Sequence, residues 1–437
     1  MLFTNHIMKI LSSLALILVF LIGLNGCSEY SPDKLAEQKN ESEQHEISEP
    51  IEQAYIQVLN EIPEHIQEVE NLTIFQGDSE PRYSIELIPV QNYGKIGEPF
   101  LTRVEACVVD DNGRVILTDL KINLESMPFV FNVHVYNADG SYRTLLGGPG
   151  RGPGEYGFAY WIQVNDGKVF LYDYTGKRLN VYNANDYSLI RTSLEENWYI
   201  RQEDDVRGLF LVGMKVRNDG NISVRFYEHI ENTRMKNKYL LMDQLGKRLD
   251  YKPYVFLEKL QIATTRNSQT QSIPRSFTVD YTLTTLSDEG ELITADSQEF
   301  LIKKYNSEGF YQSAIYYPIT GPSFDFGNFI EGSNLSQTEV INALDEVGKE
   351  LPETSPIIDE LMVDDEDRIW VAVPTDINSD AYEWWILAPT GELLAKLQRP
   401  SKKTIFDIKD GYLYAKEIDE ETDAEYVVKY RMEWTER

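Results

Sequence analysis

The chain has 437 residues, with 41 basic against 71 acidic side chains and a formal net charge of -30 at pH 7. A surface of that sign repels phosphate backbones and anionic head groups, which argues against nucleic acid as a partner and against electrostatic adhesion to a membrane. Its two cysteines are too few for a disulfide framework, so stability has to come from a hydrophobic core.

Chain order begins with Lys9 followed by the uncharged run from Ile10 to Gly26, rich in Leu, Ile, Val and Phe. It is short for a bilayer span and has the build of a secretory signal. Leu24-Asn25-Gly26-Cys27 closes the run and resembles the bacterial lipobox. That resemblance implies cleavage after residue 26 and acylation of Cys27, with palmitate-type chains anchoring the protein to the envelope. Each buried methylene adds about 0.8 kcal/mol to such an anchor. Ser28 stands where aspartate would signal inner-membrane retention in the resembling lipoproteins, which implies the outer membrane. With Cys27 acylated, Cys107 is left in the apolar stretch Ala106 to Val109, as a buried, inert thiol.

Residues 28–50 are dominated by Glu, Gln, Ser and Lys and read as a disordered tether. Ile51, Ala54, Tyr55, Val58 and Leu59 then fall at helical spacing, stopped by Pro63. The expected organisation is a signal peptide over 1–26, lipidated cysteine, tether and short helix over 27–80, and an all-β domain over 81–437.

Within that domain a strand, a turn and a second strand recur six times. The second strands are Arg114–Asp119, Lys168–Asp173, Asn221–Arg225, Glu291–Asp296, Arg368–Val373 and Tyr412–Lys416. Gly113, Gly167, Gly220, Gly290 and Gly411 stand just before five of them, and Asp367 before the other. Such a period built only from strands predicts a radial array, because one small sheet cannot bury both its faces alone. Six units predict a six-bladed β-propeller. The last unit has room for only three strands, so the strand Tyr83 to Val90 is predicted to complete it and remove the exposed edge. Third strands end in Asn137–Gly140, Asn183–Asp186, Asp243–Gly246, Asn306–Gly309 and Ala388–Gly391, which suit tight hairpins. Ser336-Gln337-Thr338-Glu339 has the form of a capping box, with Val340, Ile341, Leu344 and Val347 on one helical face up to Gly348.

The densest motif is Gly147–Tyr156, GGPGRGPGEY. It lacks the Gly-Lys-Ser/Thr end of a phosphate-binding loop and runs into a strand, so it reads as the crossing from one blade to the next. Together with Trp161–Asp173 and Lys177–Tyr182 it resembles the NHL-type repeat, and the whole chain from Pro63 resembles six-bladed propeller lipoproteins of Bacteroidetes-like bacteria. The resemblance implies that Asp173 and Arg178 brace neighbouring strands. It fades in the third unit, which has no aspartate after its second strand.

Chemistry is sparse. His45, His65, His134 and His229 show no metal-ligand spacing, and no Gly-x-Ser-x-Gly elbow is present. Asp364-Asp365-Glu366-Asp367 lacks the oxygen pattern of a calcium loop and reads as a hairpin turn. Arg151, Glu155, Tyr160, Trp161 and Trp384 are the candidates for ligand binding, since aromatic residues concentrate where surfaces bind sugars or proteins. Of Trp384 and Trp385, alternation puts one outward and one between blades. Glu105, Asp280, Asp359 and Asp407 lie on four inner strands and could converge on a calcium ion, as in the six-bladed calcium-dependent lactonases and esterases that this arrangement resembles. The expected function is a monomeric, non-enzymatic, lipid-anchored binding module for an envelope protein or small ligand, with no cofactor. The alternative is a calcium-dependent hydrolase or lactonase.

Overall fold

The computed structural model describes residues 62–95, 97, 99–123, 127–230, 234–260, 264–266, 269–271, 281–324, 327, 338, 341–342, 345, 353–375 and 381–437. The lipobox, the tether and the helix expected from Ile51 lie outside them. So does most of the segment 336–348, where Thr338, Ile341, Asn342 and Asp345 are helical.

Six antiparallel sheets succeed one another along the chain, each ordered from an inner to an outer strand. Blade 1 comprises Val104–Val109, Val115–Asn123, Met127–Tyr136 and Tyr142–Leu145. Blade 2 comprises Ala159–Asn165, Lys168–Asp173, Arg178–Asn183 and Leu189–Leu194, and blade 3 Phe210–Val216, Ile222–Ile230, Arg234–Met242 and Tyr254–Leu260. Blade 4 is Thr282–Leu286, Leu292–Asp296, Leu301–Tyr305 and Tyr311–Tyr316, and blade 5 Glu360–Val363, Ile369–Pro374, Ala381–Leu387 and Leu393–Pro400. Blade 6 takes Ile405–Lys409, Tyr412–Ile418 and Glu425–Glu436 from the C-terminus and Tyr83–Tyr93 from the N-terminal side. The closing strand pairs from Tyr83 with Glu436 to Tyr93 with Val427, and its register shifts between Pro89 and Gln91. Proline has no N–H to give a ladder, and a bulge at that point absorbs the lost bond. The closing strand is therefore longer than Tyr83 to Val90.

Each blade interface has its own apolar cluster. Ile116 and Val133 of blade 1 meet Ile162 and Leu171 of blade 2, Phe170 and Val181 meet Leu211 and Val224 of blade 3, and Tyr239 and Leu241 meet Leu292 of blade 4. Ile293 and Ile302 then meet Val371 and Trp385 of blade 5, Trp370 and Trp384 meet Ile405 and Leu413 of blade 6, and Tyr414 and Val427 meet Val115 and Leu117 of blade 1. The last of these closes the ring. Each fully buried Leu, Ile, Val or Phe adds about 1.5–3 kcal/mol relative to exposure, so each interface carries its own share of stability. Trp384 and Trp385 alternate as expected, yet both are buried. A blade is covered on both faces, so alternation assigns them to different neighbours rather than to inside and outside.

The hairpins between inner and second strands explain the repeated glycine. Gly113, Gly167, Gly220, Gly290 and Gly411 have φ between 65° and 84°, and Asp367 has φ 59°. Only glycine, and less readily Asp or Asn, adopts that left-handed conformation cheaply.

The compact unit begins at Ile62, ahead of residue 81, because the lead-in is packed onto the propeller. Ile62 and Ile66 are buried. Leu72–Ile74 adds a fifth strand to blade 4, parallel to its outer strand, with Leu72 opposite Ala314 and Ile74 opposite Tyr316. Phe75 stacks on Tyr317 at 5.0 Å and reaches Gly391 of blade 5. Arg82 then donates its N–H to Leu393 O of blade 5 before the chain enters blade 6. Short sequences such as Leu72-Thr73-Ile74 carry too little periodicity to reveal this strand in advance.

Candidate functional site

All six inner strands begin on one face of the ring, which also receives the connections leading in from the preceding blade. Among the described residues these include the long stretches 146–158 and 195–209. The opposite face has tight hairpins at the ends of its inner strands. Binding sites concentrate where long connections are held by a rigid scaffold, so the long-connection face is the candidate.

The glycine-rich crossing into blade 2 is wound around a cation. Arg178 donates from Nη1 to the carbonyls of Arg151 (2.6 Å) and Gly152 (3.0 Å), and from Nη2 to that of Gly150 (2.9 Å). Its Nε donates to Asp173 at 3.0 Å, and Asp173 Oδ1 accepts the N–H groups of Gly157 and Phe158. A phosphate-binding loop presents N–H groups to an anion, whereas this loop turns carbonyls toward a guanidinium. Gly147 has φ 60°, and a Cβ there would lie 2.3 Å from Gly154 O, so the crossing tolerates no side chain at that point. Asp173 and Arg178 are thus a structural pair.

That geometry also places two predicted ligand residues. The side chains of Arg151 and Glu155 face solvent, and Glu155 Oε2 accepts the Gly152 N–H at 2.6 Å. Trp161 packs on the core between blades 2 and 3, and Trp384 is buried between blades 5 and 6. Tyr160 lies in the inner strand of blade 2, and its side chain is outside the described residues.

Aromatic residues that do reach the candidate face are others. Phe131 stacks on Phe158 at 4.3 Å, and Tyr174 packs edge-on to Phe158 at 6.0 Å. Tyr174 is 39% exposed, and Phe210, the first residue of blade 3's inner strand, is 48% exposed. The signal available in the sequence was position: Tyr174 directly follows the strand-ending Asp173, and Phe210 opens an inner strand.

Between blades 4 and 5 the same face carries an acid and tyrosine cluster. Asp359, next to the start of blade 5's inner strand, accepts the hydroxyls of Tyr281, at 3.0 Å, and Tyr382. Burial and the neighbouring Asp359 push Glu360 up to about 7, and burial raises both tyrosines above their usual range. A carboxyl near neutrality can exchange a proton at physiological pH.

The four proposed calcium ligands are spread out. Glu105 pairs with Arg103 at 2.6 Å, and Asp359 is held by its tyrosines. Asp407 sits toward the opposite end of the channel, where Oδ2 accepts the N–H of Val109, the last residue of blade 1's inner strand, at 3.0 Å. Burial pushes Asp407 up to about 6. Asp280 is outside the described residues. Among the described residues no three His, Cys, Asp or Glu side chains come together as a metal site. Asp364 is buried and accepts from Arg368 Nε and Trp370 Nε1; its run is a hairpin turn.

The chain is a six-bladed β-propeller. A family described as "6-bladed beta-propeller" matches residues 101–286, which span the first three blades and the inner strand of the fourth. Solved structures similar to it include a Bacteroides fragilis protein whose name carries the word exported, 14% identical over 83% of this chain and 99% of that one, with a TM-score of 0.48. A member of a DUF4221 family from Bacteroides vulgatus is 12% identical over 82% and 100% of the two chains, with a TM-score of 0.41. Virginiamycin B lyase from Staphylococcus aureus is 12% identical over 80% and 99%, with a TM-score of 0.35. No curated protein matches the chain.

Proposed function

We propose that the protein is a lipid-anchored, extracytoplasmic binding module that holds an envelope protein or a small ligand on its long-connection face and carries out no reaction. The observation that carries this reading is the combination on that face of exposed Tyr174 and Phe210 with the Asp359, Glu360, Tyr281 and Tyr382 cluster. Aromatic side chains supply contact area at low entropic cost, and a few fixed polar groups supply orientation. Attachment rests on Cys27 and its lipobox, and Ser28 favours the outer membrane. Photo-crosslinking residues placed at Tyr174 and Phe210 of the lipidated protein are expected to capture a discrete partner, with Leu245 and Ile190 as surface controls away from that face. Equal capture at the control positions would sink the reading. Labelled palmitate is expected to enter the wild type and not Cys27→Ser.

A second reading, calcium-dependent hydrolysis, has one arrangement in its favour: the adjacent carboxyls of Asp359 and Glu360 at the start of blade 5's inner strand, with Tyr281 and Tyr382 on Asp359. It requires calcium retained through exhaustive dialysis and lost in Asp359→Asn; a metal-free, fully folded protein removes it.

A further inference from the structure

The outer rim of blades 2 and 3 gathers exposed apolar side chains. On blade 2's outer strand, Leu189–Leu194, Ile190 is 50% and Leu194 39% exposed. Tyr199 opens the short helical turn Tyr199–Gln202 in the connection that follows and is 64% exposed, and Leu245, in the hairpin before blade 3's outer strand, is 67% exposed. Those two are the most exposed large apolar side chains among the described residues. Bonds between their chain neighbours hold them in one neighbourhood. Arg191 Nη1 donates to Gln244 O at 3.0 Å, Ile200 donates its N–H to Gly246 O at 2.8 Å, and Trp198 Nε1 donates to Ser193 Oγ at 2.8 Å. The hairpin tip is thus flanked by residue 191 on one side and residue 200 on the other. Trp198 is buried there, and its neighbour Tyr199 stands in solvent. Single exposed apolar residues are ordinary on any surface, whereas several gathered together mark an interaction site.

Charge at this rim departs from that of the whole molecule. Across residues 189–202 and 243–247 the basic Arg191, Arg201 and Lys247 balance the acidic Glu195, Glu196 and Asp243, in a chain of net charge -30. Arg201 and Glu195 pair with each other. A neutral apolar rim on an acidic protein is where a layer of anionic head groups repels it least.

We propose that Ile190, Leu194, Tyr199 and Leu245 rest in the interface of the bilayer to which the protein is anchored, so that the rim of blades 2 and 3 lies against the membrane. The inference rests on the lipid-anchor reading: four side chains are few for holding a free protein to a membrane, but an acyl chain on Cys27 makes the contact intramolecular, and a weak contact then suffices. Cys27 stands 35 residues ahead of Ile62, where the compact unit begins, a span of at most about 120 Å at roughly 3.4 Å per residue. Such a reach lets any face meet the bilayer, so the surface chooses the face and the anchor does not. Leu and Ile enter the acyl boundary, and a tyrosine ring keeps its hydroxyl among the head groups. The contact is apolar, in keeping with a net charge that disfavours electrostatic adhesion. Ile190 and Leu245 lie away from the long-connection face, which stays open to a partner.

The test reconstitutes the full lipidated chain in phosphatidylcholine vesicles with nitroxide lipids as quenchers. A bimane label sits on Ile190→Cys or, for reference, on Val90→Cys, which is 44% exposed on blade 6's outer strand. Cys27 is acylated and Cys107 is buried, so the label goes to the introduced thiol. Quenching at least threefold stronger at Ile190 than at Val90 is expected. It should persist when salt is raised to about 0.5 M, which screens charge, and fall to the Val90 level in a Tyr199→Asp, Leu245→Asp background. Equal quenching at the two positions, in protein that floats with the vesicles, overturns the inference and leaves the anchor standing. Protein that does not float overturns the anchor reading and this inference with it. Equal quenching together with capture of a discrete protein by a photo-crosslinker at Leu245 in whole envelopes assigns the rim to a protein partner instead.

Discussion

The hairpins at one end of the inner strands and the connections at the other differ in what fixes their shape. A hairpin such as Ser287–Glu291 is settled by its own residues: Gly290 at φ 84° and backbone bonds between Ser287 and both Gly290 and Glu291. A connection such as 146–158 is settled by residues far along the chain, above all Arg178 and Asp173. The face built from local rules repeats; the face built from distant contacts varies, and variation is what a binding surface needs.

The largest effect that would sharpen this contrast is Arg178→Ala. It releases three loop carbonyls and leaves Asp173 buried without its cation, which is expected to cost about 3–5 kcal/mol; guanidinium unfolding measures it, and a loss below about 1 kcal/mol would break the claim that the crossing is organised around that cation. Gly246→Ala, at φ 80° with a Cβ 2.4 Å from Trp198 Cβ, is expected to cost roughly 2–4 kcal/mol by strain and overpacking, because Trp198 belongs to the connection after blade 2 and is buried there.

Proton linkage separates two buried groups, Asp407 and His134, by sign. Asp407 has a folded pKa of about 6, above its unfolded value of about 3.9, so it adds stability as pH falls from about 6 toward 4. His134, at about 4 when folded and about 6.5 when unfolded, loses stability over the fall from about 6.5 to 4. Melting curves across that window are expected to fall relative to wild type for Asp407→Asn and to rise for His134→Gln; the same sign for both variants would break the assignment.

Smaller effects close the series. Asp367→Gly relieves the left-handed strain that glycine avoids in the other five blades, and is expected to stabilise by up to about 1 kcal/mol. Tyr174→Ala and Phe210→Ala are expected to shift stability by about 0.5 kcal/mol or less while abolishing partner capture.

What could be read in advance follows the same division. The six turns, the hairpin tips and the closing strand were legible, because Gly, Asp and Asn at fixed offsets and alternation within a strand are local signals. The lead-in strand at Leu72–Ile74 was not, since its pairing with Tyr311–Tyr316 crosses most of the chain. Trp384 was misassigned to a ligand surface because alternation cannot say that both faces of a blade are covered. Asp119 was visible as a match to Asp173, but that its third-strand partner is Asn132 where Asp173 has Arg178 shows only in the register.

The lead-in also has a mechanical meaning. If the chain hangs from its N-terminal side, load enters through the three-residue parallel strand on blade 4, passes the contacts of Phe75 and Arg82 with blade 5, and only then arrives at Tyr83–Tyr93 in blade 6. A pull that peels Leu72–Ile74 leaves the ring shut, so the strap acts as a fuse ahead of the clasp, lengthening the lead-in before the propeller itself is put under tension.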